Sequence, residues 1–204
     1  MAAPLMRVVL ASKSEARQQV LETAGIRADV IPSGFDESAI QDPVGTSLCA
    51  RLAEAKGAQV AEQLPDRDVI VLACDTVLEF EGKVHGKPRT ERASVALWRR
   101  MRGHTAIIHT GHYVMVRRDG DSQAQVQVRS TTVNFADISD DEAIAYAATG
   151  EPINAAGAFS INKLGGAFVT SIIGDPYNVV GISLPLVRQM VIDMGVGWHT
   201  LWDR

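Results

Sequence analysis

Five short stretches carry residues suited to a phosphate or a metal ion. Leu10-Ala11-Ser12-Lys13-Ser14-Glu15-Ala16-Arg17 sets two hydroxyls, a lysine and an arginine where an apolar run gives way to a helix signal. The first N–H groups of a helix lack backbone partners and attract an anion. The stretch therefore reads as a phosphate cradle, or more plainly as a capped helix with solvated cations. Ala73-Cys74-Asp75-Thr76 places a carboxylate at the end of an apolar run, where α/β folds bind ligands; a turn-forming Asp is the alternative. Gly86-Lys87-Pro88 holds a lysine between two residues that restrict the backbone. It is not a P-loop, because the spacing differs and Pro88 stands where Ser or Thr would meet magnesium. Asp36-Glu37 pairs two carboxylates able to hold a divalent cation through oxygen, or simply to be solvated. Lys56 lies on a helix beside Leu52 and reads by itself as a lysine whose stem covers apolar neighbours. His104, His109 and His112 do not make a metal site, since on a strand His109 and His112 point to opposite faces.

The elements that must position these groups follow from periodicity and caps. Met6–Ala11 reads as a buried strand, and Ser12 or Ser14 caps the helix after it, Ser12 with Glu15 at capping-box spacing. Val20, Leu21 and Ala24 mark its apolar face and Gly25 its stop. Ala28–Ile31 is a second strand. Asp36–Gly45 is a polar loop, and Thr46–Gln63 is a helix with Leu48, Leu52 and Ala55 on one side. Val69–Ala73 reads as a central strand, and Val77–Phe80 with Val84–His85 as a hairpin. Thr90 opens a helix to about Met101. His104–Arg117 and Gln123–Phe135 are two long strands joined at Asp119–Gly120. Ser139 and Glu142 form a capping box for a helix ending near Gly150. Ala158–Ile161 and Ala167–Ile173 read as strands, and Leu184–Met194 as the closing helix. The fold class is α/β, with a mixed, bent sheet, flanking helices and two lobes around a cleft. No linker divides the chain, so residues 1–204 read as a single domain.

Composition narrows the function. The chain has 204 residues, with 20 Lys+Arg against 24 Asp+Glu and a net charge of −4, which argues against a partner such as long nucleic acid. A local excess of cations is compatible with that value: Lys13, Arg17, Lys56 and Lys87 outnumber Glu37 and Asp75. Cys49 and Cys74 fit neither a disulfide framework nor a zinc pattern. The longest apolar run, Val69–Cys74, is far short of the ~18 residues a membrane span needs. Met1–Leu5 shows no secretory signal. A cytoplasmic protein without membrane contact is expected.

The order of motifs is more specific than any one of them. Leu10-Ala11-Ser12-x-Ser14-x-x-Arg17 is followed by Gly34-x-Asp36-Glu37, Arg51-Leu52-Ala53-x-x-Lys56, Asp75-Thr76, Gly86-Lys87-Pro88, Glu151-Pro152 and Ala156-Gly157-Ala158-Phe159. Gly174-Asp175-Pro176-x-Asn178-Val179 and Gly181-x-Ser183-Leu184-Pro185 close the series. The chain thereby resembles the Maf family of septum-formation-associated nucleoside triphosphate pyrophosphatases. The resemblance implies a fold similar to that of the inosine triphosphate pyrophosphatases, Mg2+ or Mn2+ as cofactor, and often a homodimer. It implies conversion of a nucleoside triphosphate and water into the monophosphate and pyrophosphate. Carried over by position, Asp75 matches the family's proton acceptor, and Ser12, Arg17, Glu37, Lys56 and Lys87 match other active-site positions. On that reading Glu37 and Asp75 bind metal and Lys56, Lys87 and Arg17 hold phosphate oxygens, while the Ser12–Ser14 backbone holds another phosphate.

The chain departs from the family at the residue before Arg17, where Ala16 replaces a larger side chain. Thr76 and Asn162 stand at two positions that separate a dTTP- and UTP-preferring branch from a 7-methyl-GTP-preferring one. Thr76 leans to pyrimidines, and the Asn162 amide can donate to and accept from a base edge. The expectation is a pyrimidine or modified nucleotide, with 7-methyl-GTP as the alternative. A cell-division regulator acting by binding is a second alternative, and a phosphatase releasing orthophosphate a third. Trp198, Leu201 and Trp202 have helical spacing and either dock on their own core or form part of a dimer face.

Overall fold

Twelve consecutive residues, Val69–Phe80 (β3), form the strand on which the architecture turns. The computed structural model describes residues 6–203; Met1–Leu5, read above as free of a secretory signal, lie outside it. β1 (Arg7–Leu10) pairs in parallel with β2 (Ala28–Val30) and with β3. β3 then runs antiparallel to β4 (Lys83–His85) and β5 (Thr105–Arg118), β5 to β6 (Asp121–Phe135), and β6 to β7 (Val169–Ile173). The order β2-β1-β3-β5-β6-β7, with β4 on β3, makes the mixed α/β sheet expected from the sequence.

Three buried clusters divide this sheet into two lobes. Ile70, Leu72 and Cys74 of β3 pack with α1 (Glu15–Thr23) and α6 (Leu184–Asp193), while Val69, Val71 and Ala73 on the other face meet α2 (Gly45–Gln63). Further along the same strand, Leu78 and Phe80 join Trp98 of α3 (Glu91–Met101) and Tyr146 of α4 (Asp140–Ala148). Asp75 and Thr76 lie where β3 passes from one core to the other.

The sequence reading split β3 at these polar residues and put Asp75 at a strand end. The structure corrects this: pairing with β5 is unbroken from Val69↔Arg117 to Glu79↔Ile107, with Asp75 opposite Gly111. A partner strand on the full length holds the backbone extended whatever the side chains prefer. Gly111 is needed there, because a Cβ would come within 2.2 Å of the Cys49 carbonyl oxygen. Helix α2 therefore lies directly on the sheet beside Asp75.

Other local readings hold in part. Asp119 and Gly120 both have positive φ, 51° and 97°, the type I′ turn that matches strand twist. Ser139 and Glu142 form the expected reciprocal cap. Ser14, not Ser12, caps α1. Ala158–Ile161 is not a strand but part of a series of short 3-10 turns. Its polar groups find other partners: Ala158 O accepts from Trp98 Nε1 at 2.8 Å, and Ser160 N donates to the Tyr146 hydroxyl at 3.4 Å. The short helix α5 (Pro176–Val180) was not anticipated, although Asp175-Pro176 supplies its cap. Trp198 and Leu201 dock on the first core, and Trp202 lies over Gly25, so this spacing serves packing within the chain.

Candidate active site

A cleft of about 1030 Å3 opens between the lobes. It is lined by every residue the sequence singled out as a site residue: Ser12, Ser14, Arg17, Glu37, Lys56, Asp75, Thr76, Lys87 and Asn162. Six basic and four acidic side chains face it, so the cleft is positive inside an acidic protein.

At its floor, Lys56 Nζ contacts Asp75 Oδ1 at 2.6 Å and Glu37 Oε1 at 2.7 Å. The positions follow from the fold. Lys56 projects from α2, which Gly111 lets approach the sheet at Cys49–Ala50 and whose Gly57 lies against the Tyr113 ring, Asp75 from mid-β3, and Glu37 from the 3-10 turn Glu37–Ala39 capped by Asp36. Lys56 is 9% exposed and Asp75 8%, so Lys56 is not the solvated lysine its local sequence suggests. Burial pushes the Glu37 carboxyl up, but the hydrogen bond and charge of Lys56, with Lys87 and Arg89, outweigh it and hold the group below its usual range. Burial lowers the Lys87 ammonium; Glu37 opposes the shift, while Arg89, Arg17 and Lys56 reinforce it. Two carboxylates converging on one ammonium form a small acidic focus. No group of three or more His, Cys, Asp or Glu able to hold a metal occurs among the described residues. One or two carboxylates completed by substrate phosphates is the usual protein share of a Mg2+ site, so Glu37 and Asp75 fit a metal that arrives with a phosphate ligand.

The opposite wall is built on Arg17. Its guanidinium donates to Gly181 O at 2.7 Å, Ser12 Oγ at 3.2 Å and Thr76 Oγ1 at 3.0 Å. That leaves two of the five N–H groups of an arginine for a ligand. Gly181 is required beside it, because its φ is 111° and a Cβ would lie 3.0 Å from Arg17 Nε. Thr76 and Thr110 share a hydrogen bond at 3.0 Å, and Thr110 donates onward to Asn178 O. The Thr76 hydroxyl is thus committed on both sides and fixes Arg17. Ser14 Oγ accepts from Arg17 N, and Ser12 Oγ accepts from Ser14 N at 3.1 Å, which leaves the Ser12 hydroxyl proton directed at no protein acceptor among the described residues.

Two residues escaped the sequence reading as site residues. Glu151 accepts from the Tyr146 hydroxyl at 2.6 Å, from Leu164 N at 3.1 Å and from Gly165 N at 3.0 Å. It ties down the turn that carries Asn162 into the cleft. Its only sequence signal was its place before Pro152. Arg89 lines the cleft with a left-handed backbone, φ 68°, and its N–H donates to Ile153 O. Its position after Lys87-Pro88 was the available signal.

A deep cleft that joins paired carboxylates to fixed cations on a mixed α/β scaffold defines an enzyme site for a small polyanion. Residues 7–194 match the family described as Maf-like protein. The chain is 47% identical over 200 residues to a protein of Cutibacterium acnes, covering 96% of this chain and 94% of that one. It is 45% identical over 202 residues to one of Salinispora tropica, covering 98% and 88%, and 44% identical over 195 residues to one of Thermosynechococcus vestitus, covering 96% of each. All three bear the name nucleoside triphosphate pyrophosphatase. The chain belongs to the Maf family.

Proposed function

We propose that this enzyme splits the α–β phosphoanhydride of a pyrimidine or modified nucleoside triphosphate in the cytoplasm, with Mg2+ or Mn2+. The chain is a nucleoside triphosphate pyrophosphatase of the Maf family. The observation that carries the reading of catalysis is Lys56 held between Asp75 and Glu37 at the floor of the cleft.

A triphosphate repels a nucleophile, so the site must offset its charge most where it grows in the transition state. Asp75 orients a water and takes its proton as the water oxygen bonds to the α-phosphorus. The bond from that phosphorus to the α–β bridging oxygen breaks, and pyrophosphate leaves. Lys56 stabilises the Asp75 carboxylate and, with Lys87, faces the phosphate oxygens. The free N–H groups of Arg17, the Ser12 hydroxyl and the unpartnered amides at the start of α1 hold further oxygens. Glu37 and Asp75 would hold the metal, which when bound neutralises phosphate charge. The Asn162 side chain reads the base edge, and Ala16 leaves room for a base in the same cleft.

Product analysis tests the reaction. Monophosphate plus pyrophosphate is expected, and orthophosphate would overturn it. kcat/KM compared over dTTP, UTP, CTP, GTP and 7-methyl-GTP tests the base; a clear preference for 7-methyl-GTP refutes the pyrimidine reading.

A further inference from the structure

His112 stands on β5 opposite Cys74 of β3 and is fully buried, yet no step proposed for the cleft uses it. Its Nε2 accepts from Ser183 N at 2.8 Å, and Ser183 is fully buried as well. Burial above all, and then the charge of Arg17, push the imidazolium down to about 3, so the ring is neutral. A neutral ring that accepts at Nε2 carries its proton on Nδ1, and Nδ1 has no hydrogen-bond partner among the described residues.

The bond to Ser183 bears on the cleft. Residues Gly181–Ser183 form the turn between α5 and α6, and Gly181 O takes the 2.7 Å bond from Arg17 Nε. The other two acceptors of Arg17 belong to the sheet or adjoin it, Thr76 in β3 and Ser12 just after β1. Gly181 O lies on a turn, and two residues further on that turn is tied to β5 through Ser183 N and His112. A buried N–H without a partner is costly, so the bond fixes the turn firmly. A carboxylate at position 112 could accept the same N–H. It would also be a buried charge close to Arg17, and it would cancel the charge that a phosphate needs. A neutral imidazole places the turn and leaves the guanidinium its full charge.

We infer that His112 is a positioning residue for the pyrophosphatase reaction: its Nε2 fixes the Gly181–Ser183 turn, and through Gly181 O it holds Arg17 with two N–H groups free for phosphate. The inference rests on the reading of Arg17 as a phosphate ligand.

Steady-state kinetics of the full chain, with melting temperatures measured alongside, test it. A Gln side-chain oxygen reaches the place of the imidazole Nε2, whereas an Asn oxygen reaches only that of Nδ1. His112→Gln should keep kcat/KM within about threefold of wild type, while His112→Asn and His112→Leu leave Ser183 N unpaired and should lower it roughly tenfold or more. The Gln and Asn variants decide the matter where His112→Leu does not fold. Arg17→Lys loses the fork that Gly181 O holds, so in that background His112→Asn should cost less than about twofold. A merely structural role would cost the same in both backgrounds. Ring-nitrogen NMR shifts of the wild type should show Nδ1 protonated and Nε2 bare. The opposite tautomer, Gln and Asn variants alike in kcat/KM, or an Asn effect undiminished by Arg17→Lys each overturn the inference. Arg17→Lys as active as wild type refutes Arg17 as a phosphate ligand, and the inference with it.

Discussion

Asp75→Asn isolates the chemistry from the fold. The replacement keeps the shape and an amide oxygen that can accept from Lys56, while removing the charge and the proposed proton acceptor. In the wild type Lys56 lies between Asp75 at 2.6 Å and Glu37 at 2.7 Å, with its side chain only 11% exposed. Removing one partner of a buried ion pair costs roughly 3–5 kcal/mol when the other charge is left alone. Here Glu37 remains, so about 1–3 kcal/mol is expected, the cost of a weakened hydrogen bond to a charged group. At about 2–4 °C per kcal/mol for a chain of this size, the melting temperature should fall by roughly 2–12 °C. The rate should fall much further. Loss of a general base or one transition-state stabiliser costs roughly 10²–10⁴ in kcat. The assay is pyrophosphate release at saturating metal and substrate, well below the variant's melting temperature. A variant within a few-fold of wild type would refute the role of Asp75. Activity recovered by cooling would show that only stability had been lost.

Other expectations address separate parts of the structure. Because burial lowers the Lys87 ammonium, it loses its proton at lower pH than an exposed lysine, so KM should rise on the alkaline side and Lys87→Arg should move that rise to higher pH; an unmoved limb would assign it to another group. Glu37 is held below its ordinary range, so its contribution to stability is present above the unfolded value and lost as pH falls through the folded one. Glu37→Gln should flatten acid unfolding in that window, read as melting temperature against pH; an unchanged curve refutes the coupling to Lys56. Glu151→Gln cannot accept from both loop amides and the Tyr146 hydroxyl, and the loss of one hydrogen bond to the carboxylate, about 1–3 kcal/mol, should raise KM roughly tenfold with kcat less affected and blunt discrimination among bases. Equal loss across the nucleotide panel without a KM change would contradict it. Gly111→Ala should destabilise the fold by about 1–3 kcal/mol through overpacking on α2, measured by denaturant unfolding; an unchanged midpoint would mean α2 can withdraw freely.

The residues themselves determined most of the local structure. The turn at Asp119–Gly120 and the Ser139–Glu142 cap depend on a few adjacent side chains, so sequence sufficed for both. The residues that gather in the cleft were also readable, because their order along the chain is distinctive even though each motif is weak. Tertiary structure decided what no local pattern contains. Asp75 reads as a strand end but lies mid-strand, because β5 pairs along the whole of β3 and its preference outweighs that of three polar or small residues. Lys56 reads as a surface lysine but is buried, because Gly111 admits α2 and two distant carboxylates supply the charge that a buried ammonium requires. The turns after Gly157 read as a strand but curl over the cleft, because Trp98, Tyr146 and Glu151 satisfy backbone groups a sheet would otherwise have paired. Local propensity is worth tenths of a kcal/mol per residue, whereas an unpaired buried group costs about 1–3 kcal/mol. Where the two conflict, partners that only the fold assembles prevail.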